Sequence, residues 1–190
     1  MSKIRLIKFI HLYASIFIFI LLLGFSLYNK HLNITKISLS RLGINEDGWI
    51  WNTGLLLISF LLYHKIKYSV EKFLVSKTLQ LINKGLITCL VFTALINMNY
   101  NLHNFIALAY FLGTSALIFL FGVKLHKTNF RIAQISLFIG ILSALIPSLS
   151  FPFIGTLAIP ETLHISLLFL WLIALEHDDV VVNVIKKLGF

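Results

Sequence analysis

A carboxylate and an imidazole stand three residues apart at the start of the last long apolar block of this sequence. Glu161 and His164 lie in the stretch IPETLHISL, residues 159–167. On a helix this spacing puts both side chains on one face, where they can act together in proton transfer. The chain has only seven acidic residues, so a carboxylate inside an apolar block marks a candidate site.

Polar residues also stand at the ends of other apolar blocks. Asn52 opens the second block, and the stretch NMNYNLHN (97–104) precedes the fourth. If the even-numbered blocks are neighbouring helices that begin on the same side of a membrane, their first residues share one site on the outer face. The candidate catalytic residues are His103, Glu161 and His164, and the candidate ligand-binding residues are Asn52 and Asn101.

Three kinds of chemistry fit this set of residues. Two histidines and one carboxylate are the minimum for an open metal site, but the sequence has a single Glu-x-x-His of this kind and no HExxH. We therefore predict no metal and no other cofactor. A metal-free hydrolase would use a histidine as the base for a serine hydroxyl, with Glu161 orienting it. Asparagine and backbone amides could instead bind a lipid phosphate or sugar without any reaction.

Each candidate also has a structural interpretation. Pro160 is suited to the first position of a helix, and Glu161 would then lie in the first turn, where the helix dipole favours a carboxylate. The asparagines of 97–104 are good turn and capping residues. A histidine at the mouth of a membrane span is often an interfacial side chain with a solvated tip. A shared site is favoured because all these residues are expected on the same side of the membrane.

The elements that must position these residues are membrane helices. The chain is 58% hydrophobic and 12% charged, whereas soluble domains have about 45–50% apolar and about 25% charged residues. The apolar residues form blocks of about 20 residues, long enough to cross a bilayer core of roughly 30 Å. We predict an all-α, six-transmembrane-helix bundle that forms one domain over residues 1–190. The predicted spans are 8–28, 49–67, 79–98, 103–123, 131–149 and 160–176.

The distribution of basic residues predicts the orientation of the bundle. Thirteen of the sixteen lysines and arginines lie in the N-terminus, the second and fourth connections and the C-terminal tail. By the positive-inside rule, both termini are then cytoplasmic. The formal charge of +9 is explained by topology and anionic lipid headgroups, so we predict no nucleic-acid partner.

One outer connection has an unusual composition. The stretch PSLSFPFIGTLAIP (147–160) contains all three prolines of the chain and stays apolar. Prolines interrupt a helix, so we expect this segment to leave the helical bundle and lie in the interface or fold over the mouth of the bundle.

A motif in the first outer connection and the second span resembles a known family. Ser40-Arg41-Leu42-Gly43 is followed by Trp51-Asn52-Thr53-Gly54, which looks like the Ser-x-Leu-Gly and aromatic-Asn-x-Gly pair of the prokaryotic six-span family called domain of unknown function 998. The chain is more distantly similar to the FRAG/DRAM/SFK group, which is tied to lipid remodelling, autophagy and plasma-membrane lipid organisation. The resemblance implies that Ser40, Gly43, Asn52, Gly54 and His103 belong to a shared outer-face feature, and it adds Ser40 to the candidate ligand-binding residues.

The glycines and the asparagine of this motif also have a physical interpretation. Gly43 and Gly54 permit a tight turn and a close helix contact, and Asn52 can hydrogen-bond a loop backbone. The motif would then hold the first outer connection against the bundle.

Three functions remain open from the sequence. The leading hypothesis is a protein that binds or organises lipids at the outer leaflet of a membrane, most simply the bacterial cytoplasmic membrane. The alternative is a membrane-embedded hydrolase or transferase that acts on a lipid-linked substrate through His103, Glu161 and His164. The third is a helical subunit of a larger membrane complex, with a membrane-protein partner or a second copy of the chain.

Overall fold

A computed structural model of the chain provides the backbone of six segments and most of their side chains. The backbone is described for residues 3–29, 39–44, 46–74, 76–96, 101–154 and 158–187. Side chains are described for residues 9–29, 39, 42–43, 46–74, 76–96, 102–146 and 159–177.

The described residues form six α-helices, one short 3₁₀ helix and no strand. The helices are α1 (Lys3–Tyr28), α2 (Gly48–Phe73), α3 (Lys77–Leu95), α4 (Asn101–Leu125), α5 (Phe130–Ile154) and α6 (Ala158–Lys187), and the 3₁₀ helix is Leu39–Ile44. All six helices include the predicted apolar spans or most of them. Several helices run past the span ends because a helix does not stop where its sequence stops being apolar.

Four stretches within these helices are long and apolar enough to cross a membrane. Among the described residues they are Phe9–Tyr28, Lys77–Leu95, Leu102–Leu125 and Ile159–His177. A shorter apolar stretch, Phe130–Ile146, lies in α5. The second helix is less apolar because it carries Asn52 and Lys65, which both have partners inside the protein. The fold is an all-α membrane bundle, and the chain is an integral membrane protein.

Each helix packs against the next one along the chain, and α6 also contacts α1 and α4. The helices are therefore packed in chain order, and α6 lies beside α1 and α4 as well as α5. The starts of α2, α4 and α6 lie at the same end of the bundle, together with the 3₁₀ helix, which contacts α2 and α6. This end is called the capped end below. It is the end at which all the candidate site residues were expected to meet.

The α4 and α5 helices approach each other closely through a glycine in each. A Cβ atom at Gly140 of α5 would lie 2.8 Å from the backbone nitrogen of Phe119 of α4. A Cβ atom at Gly122 of α4 would lie 2.9 Å from the carbonyl oxygen of Ala133. Small residues allow such contacts between membrane helices, whose association depends on van der Waals packing.

The prediction that prolines end the helix at 147 is wrong. Helix α5 continues through Pro147 and Pro152 to Ile154, and Pro160 lies in the first turns of α6. Proline lacks an N–H, so Pro147 cannot donate to the carbonyl oxygen of Ser143 four residues earlier. That oxygen instead accepts a hydrogen bond from Nδ1 of His164, at 3.0 Å. A side chain of α6 thus replaces the missing backbone donor and keeps the proline inside the helix.

Candidate ligand-binding site at the capped end

Glu161 and Asn52 hold the 3₁₀ helix against the bundle. The backbone N–H of Leu39 donates to Oε2 of Glu161 at 2.6 Å, and both residues are buried. At the other end of the 3₁₀ helix, Nδ2 of Asn52 donates to the carbonyl oxygen of Gly43 at 3.2 Å. The interpretation that Asn52 binds a loop backbone is confirmed. Glu161 is part of the same attachment, which the sequence did not predict.

Glycines make this attachment possible at short range. A Cβ atom at Gly43 would collide with the side chain of Asn52, and one at Gly48 would collide with the backbone of Gly43. At Gly54 a Cβ atom would lie 2.5 Å from a methyl group of Leu22 in α1. The close helix contact expected for Gly54 is therefore confirmed, and the Gly43 contact explains the glycine of the Ser-x-Leu-Gly stretch.

A partly open pocket lies beneath the 3₁₀ helix. Its volume is about 50 Å³. This is enough space for a few water molecules or one small chemical group. Leu39 forms its cover, and α2, α3, α4 and α6 form its walls. Half of the ten lining residues are leucine, isoleucine or alanine, and the other five are Trp51, Thr93, Tyr110, Phe111 and Glu161.

Two polar groups in this wall lack the partners that burial normally requires. The indole N–H of Trp51 is buried and has no hydrogen-bond partner in the part of the chain that the structure describes. Glu161 accepts the Leu39 N–H, but no described lysine, arginine or histidine forms an ion pair with it. Buried donors are nearly always paired, and buried charges are usually paired too. Within the described part of the chain, the pocket therefore presents a donor without an acceptor and a carboxylate without a countercharge.

His164 points away from this pair. Its Nδ1 donates to Ser143 of α5, and its ring makes an edge contact with Phe111, with centroids 4.8 Å apart. Because Nδ1 carries the proton of the neutral ring, Nε2 holds a lone pair. That nitrogen is buried and has no partner among the described residues. Glu161 and His164 therefore have different partners: Glu161 binds the 3₁₀ helix, and His164 binds α5.

His103 has a similar arrangement at the start of α4. Its Nδ1 donates at 2.8 Å to the carbonyl oxygen of Ile96, the residue that ends α3. A carbonyl at a helix end has no partner within its own helix, so His103 caps α3. Its Nε2 is buried and likewise unpaired within the described ranges. Both histidines therefore satisfy a backbone carbonyl and keep one ring nitrogen without a partner among the described residues.

The structure brings together only part of the predicted set. Glu161 and Asn52 bind opposite ends of the 3₁₀ helix. His103 lies one helical turn before Ala107, which lines the pocket from α4. The side chains of Ser40 and Asn101 lie outside the described residues, as do Asn97 and Asn99. The described residues contain no cluster of three or more His, Cys, Asp or Glu that could hold a metal ion.

Sequence reasoning missed a buried ion pair near the opposite end of the bundle. Lys65 of α2 forms a salt bridge with Glu176 of α6, and both are buried. Lys65 was counted among the cations of the second connection, although α2 continues to Phe73. The available signal was Glu176, an acidic residue inside the last apolar block, which needs a cation on a neighbouring helix.

Comparison with known protein families gives a match over most of the chain. The family model described as "Protein of unknown function (DUF998)" matches residues 12–177. No curated protein and no solved structure shows significant similarity to the chain.

Proposed function

Because the chain belongs to the DUF998 family, whose description gives no activity, we propose a function from its own geometry: the protein binds a membrane lipid at the capped end, with a small part of that lipid in the pocket beneath the 3₁₀ helix. The observation that carries this proposal is the pocket wall. It is mostly apolar and contains the N–H of Trp51, for which the described residues offer no acceptor.

A lipid would supply an acceptor for the Trp51 N–H and alkyl groups for the apolar part of the wall. Its ester carbonyls and phosphate oxygens accept hydrogen bonds, so an oxygen next to Trp51 would satisfy the buried N–H, which otherwise costs about 1–3 kcal/mol. The neighbouring alkyl groups would lie against the apolar side chains. Because the pocket is partly open and holds only about 50 Å³, it accepts one end of a lipid and leaves the rest in the bilayer.

The proposal includes a membrane placement. All six helices cross the bilayer, with both termini in the cytoplasm as the basic residues predict. The capped end then faces outward, so the bound lipid belongs to the outer leaflet. The simplest location is the bacterial cytoplasmic membrane.

Filling the pocket tests the proposal. Ala107 lines the pocket from α4, and Ala107→Phe would occupy its space. The matched control is Ala116→Phe, because Ala116 is exposed on the same helix. Native mass spectrometry of protein from lipid nanodiscs should show one retained lipid on the wild type and on Ala116→Phe, and none on Ala107→Phe. Equal retention by both variants, at equal thermal stability, would refute lipid binding in the pocket.

A second candidate is the membrane-embedded hydrolase or transferase for a lipid-linked substrate. The Nε2 atoms of His103 and His164 favour it, because neither has a hydrogen-bond partner among the described residues and each could serve as the base of the reaction. Asparagine resembles the Nδ1 side of histidine, so His164→Asn should keep the hydrogen bond to Ser143 and lose the base. Turnover of nanodisc lipids by the wild type, abolished in His164→Asn at unchanged melting temperature, would support the enzyme. Its absence in the wild type would exclude it for the lipids tested.

A further inference from the structure

We infer that the pocket recognises a positively charged ammonium group, and that the lipid bound there carries one in its headgroup. This inference rests on the proposed function and specifies the ligand of the same site. It comes from three features of the wall: three aromatic rings, and a carboxylate and an N–H donor that have no countercharge and no acceptor, respectively, among the described residues.

The first feature is the buried carboxyl group of Glu161. Its side chain is buried at the start of α6, and its one hydrogen bond comes from a backbone N–H. The dipole of α6 favours a negative charge in the first turn, but a dipole and one N–H replace only part of the solvation that burial removes. The described residues supply no cation to it. An ammonium group in the pocket would provide the missing countercharge.

The second feature is the aromatic lining. Trp51, Tyr110 and Phe111 all line the same small pocket as Glu161. Aromatic faces attract ammonium groups through their quadrupole, most strongly when the cation has left water. An apolar pocket with one carboxylate and several aromatic rings therefore suits an ammonium better than a neutral alkyl group. An anionic group would meet the Glu161 carboxylate, and like charges at close range disfavour binding.

The third feature fixes the kind of headgroup. The free N–H of Trp51 needs an acceptor, and it lies in the same wall as the carboxylate. A headgroup with an ammonium and a nearby phosphate or ester oxygen satisfies both residues at once. A lipid with a glycerol headgroup offers the acceptor without the ammonium.

Headgroup selectivity tests the inference. The protein is transferred to nanodiscs of equal parts phosphatidylethanolamine, phosphatidylcholine and phosphatidylglycerol, and retained lipids are measured by native mass spectrometry. We expect retention of the two ammonium lipids to exceed that of phosphatidylglycerol by about tenfold or more, as for a charge-assisted contact. Glu161→Gln keeps an acceptor for Leu39, so the fold remains, but the preference should fall to about one. The control Glu71→Gln, at an exposed residue of α2, should keep the preference.

The outcomes separate this inference from the proposed function. If Ala107→Phe expels the lipid but all three headgroups are retained equally, the pocket binds lipid and the ammonium inference fails. If Glu161→Gln keeps the wild-type preference, the inference also fails. If the pocket retains no lipid and free ethanolamine protects the wild type but not Glu161→Gln against thermal unfolding, the ammonium inference holds for a soluble amine and the lipid proposal is wrong.

Discussion

Two substitutions of Glu161 distinguish the hydrogen bond that it makes to the 3₁₀ helix from the charge of its side chain. In Glu161→Ala the buried N–H of Leu39 loses its acceptor, whereas in Glu161→Gln the amide oxygen takes over that role. The two variants therefore share the loss of charge and differ in the hydrogen bond. We expect only the alanine variant to release the 3₁₀ helix.

The size of the effect follows from the geometry of this bond. The N–H of Leu39 donates to Oε2 of Glu161 at 2.6 Å in a buried environment. Leaving one buried partner unsatisfied costs about 1–3 kcal/mol. If the 3₁₀ helix opens locally, this cost makes opening about 5- to 150-fold more frequent.

Hydrogen–deuterium exchange of the fragment that contains the 3₁₀ helix measures this opening. Exchange at Leu39 should accelerate by that factor in Glu161→Ala and remain within about threefold of the wild type in Glu161→Gln. Glu71→Ala, at an exposed position, should leave it unchanged. Equal exchange in the alanine and glutamine variants would show that the side chain of Glu161 does not hold the 3₁₀ helix, and the account of the pocket cover would be wrong.

Two further predictions concern contacts inside the bundle, both measured by reversible unfolding in mixed micelles. Lys65→Met leaves Glu176 buried without its cation and should lower the free energy of unfolding by about 3–5 kcal/mol. Replacing both residues by methionine should recover most of that loss. A double variant no more stable than the single one would contradict the role of the ion pair. His164→Leu removes the donor to the Ser143 carbonyl and should cost about 1–3 kcal/mol. Adding Pro147→Ala restores a backbone N–H for that carbonyl, and a lack of any recovery would refute the compensation between α6 and the proline.

The helices and the motif at the capped end were accessible from the sequence. Apolar blocks of membrane length predict helices because every backbone polar group must be paired inside a bilayer. The hydrogen bond from Asn52 to a loop backbone was also predicted, because an amide at the start of a span lies close to the connection before it. These inferences depend on local spacing, which the sequence contains directly.

The remaining features depend on contacts between distant helices. Nothing near Pro147 in the sequence indicates that His164, on the next helix, supplies its missing donor. In the same way, Lys65 resembles a basic loop residue until α2 is known to continue past it and Glu176 is known to face it. The i, i+3 spacing predicted that Glu161 and His164 lie on one side of α6. It could not show that Glu161 contacts the 3₁₀ helix whereas His164 contacts α5.

The lipid site is tested most directly by an experimental structure of the protein in nanodiscs that contain phosphatidylethanolamine. The account predicts non-protein density in the pocket beneath the 3₁₀ helix, with an oxygen within hydrogen-bonding distance of the Trp51 indole nitrogen and an amine beside the Glu161 carboxylate. A pocket that holds only water, or one closed by its own side chains while lipids surround the bundle, would contradict it.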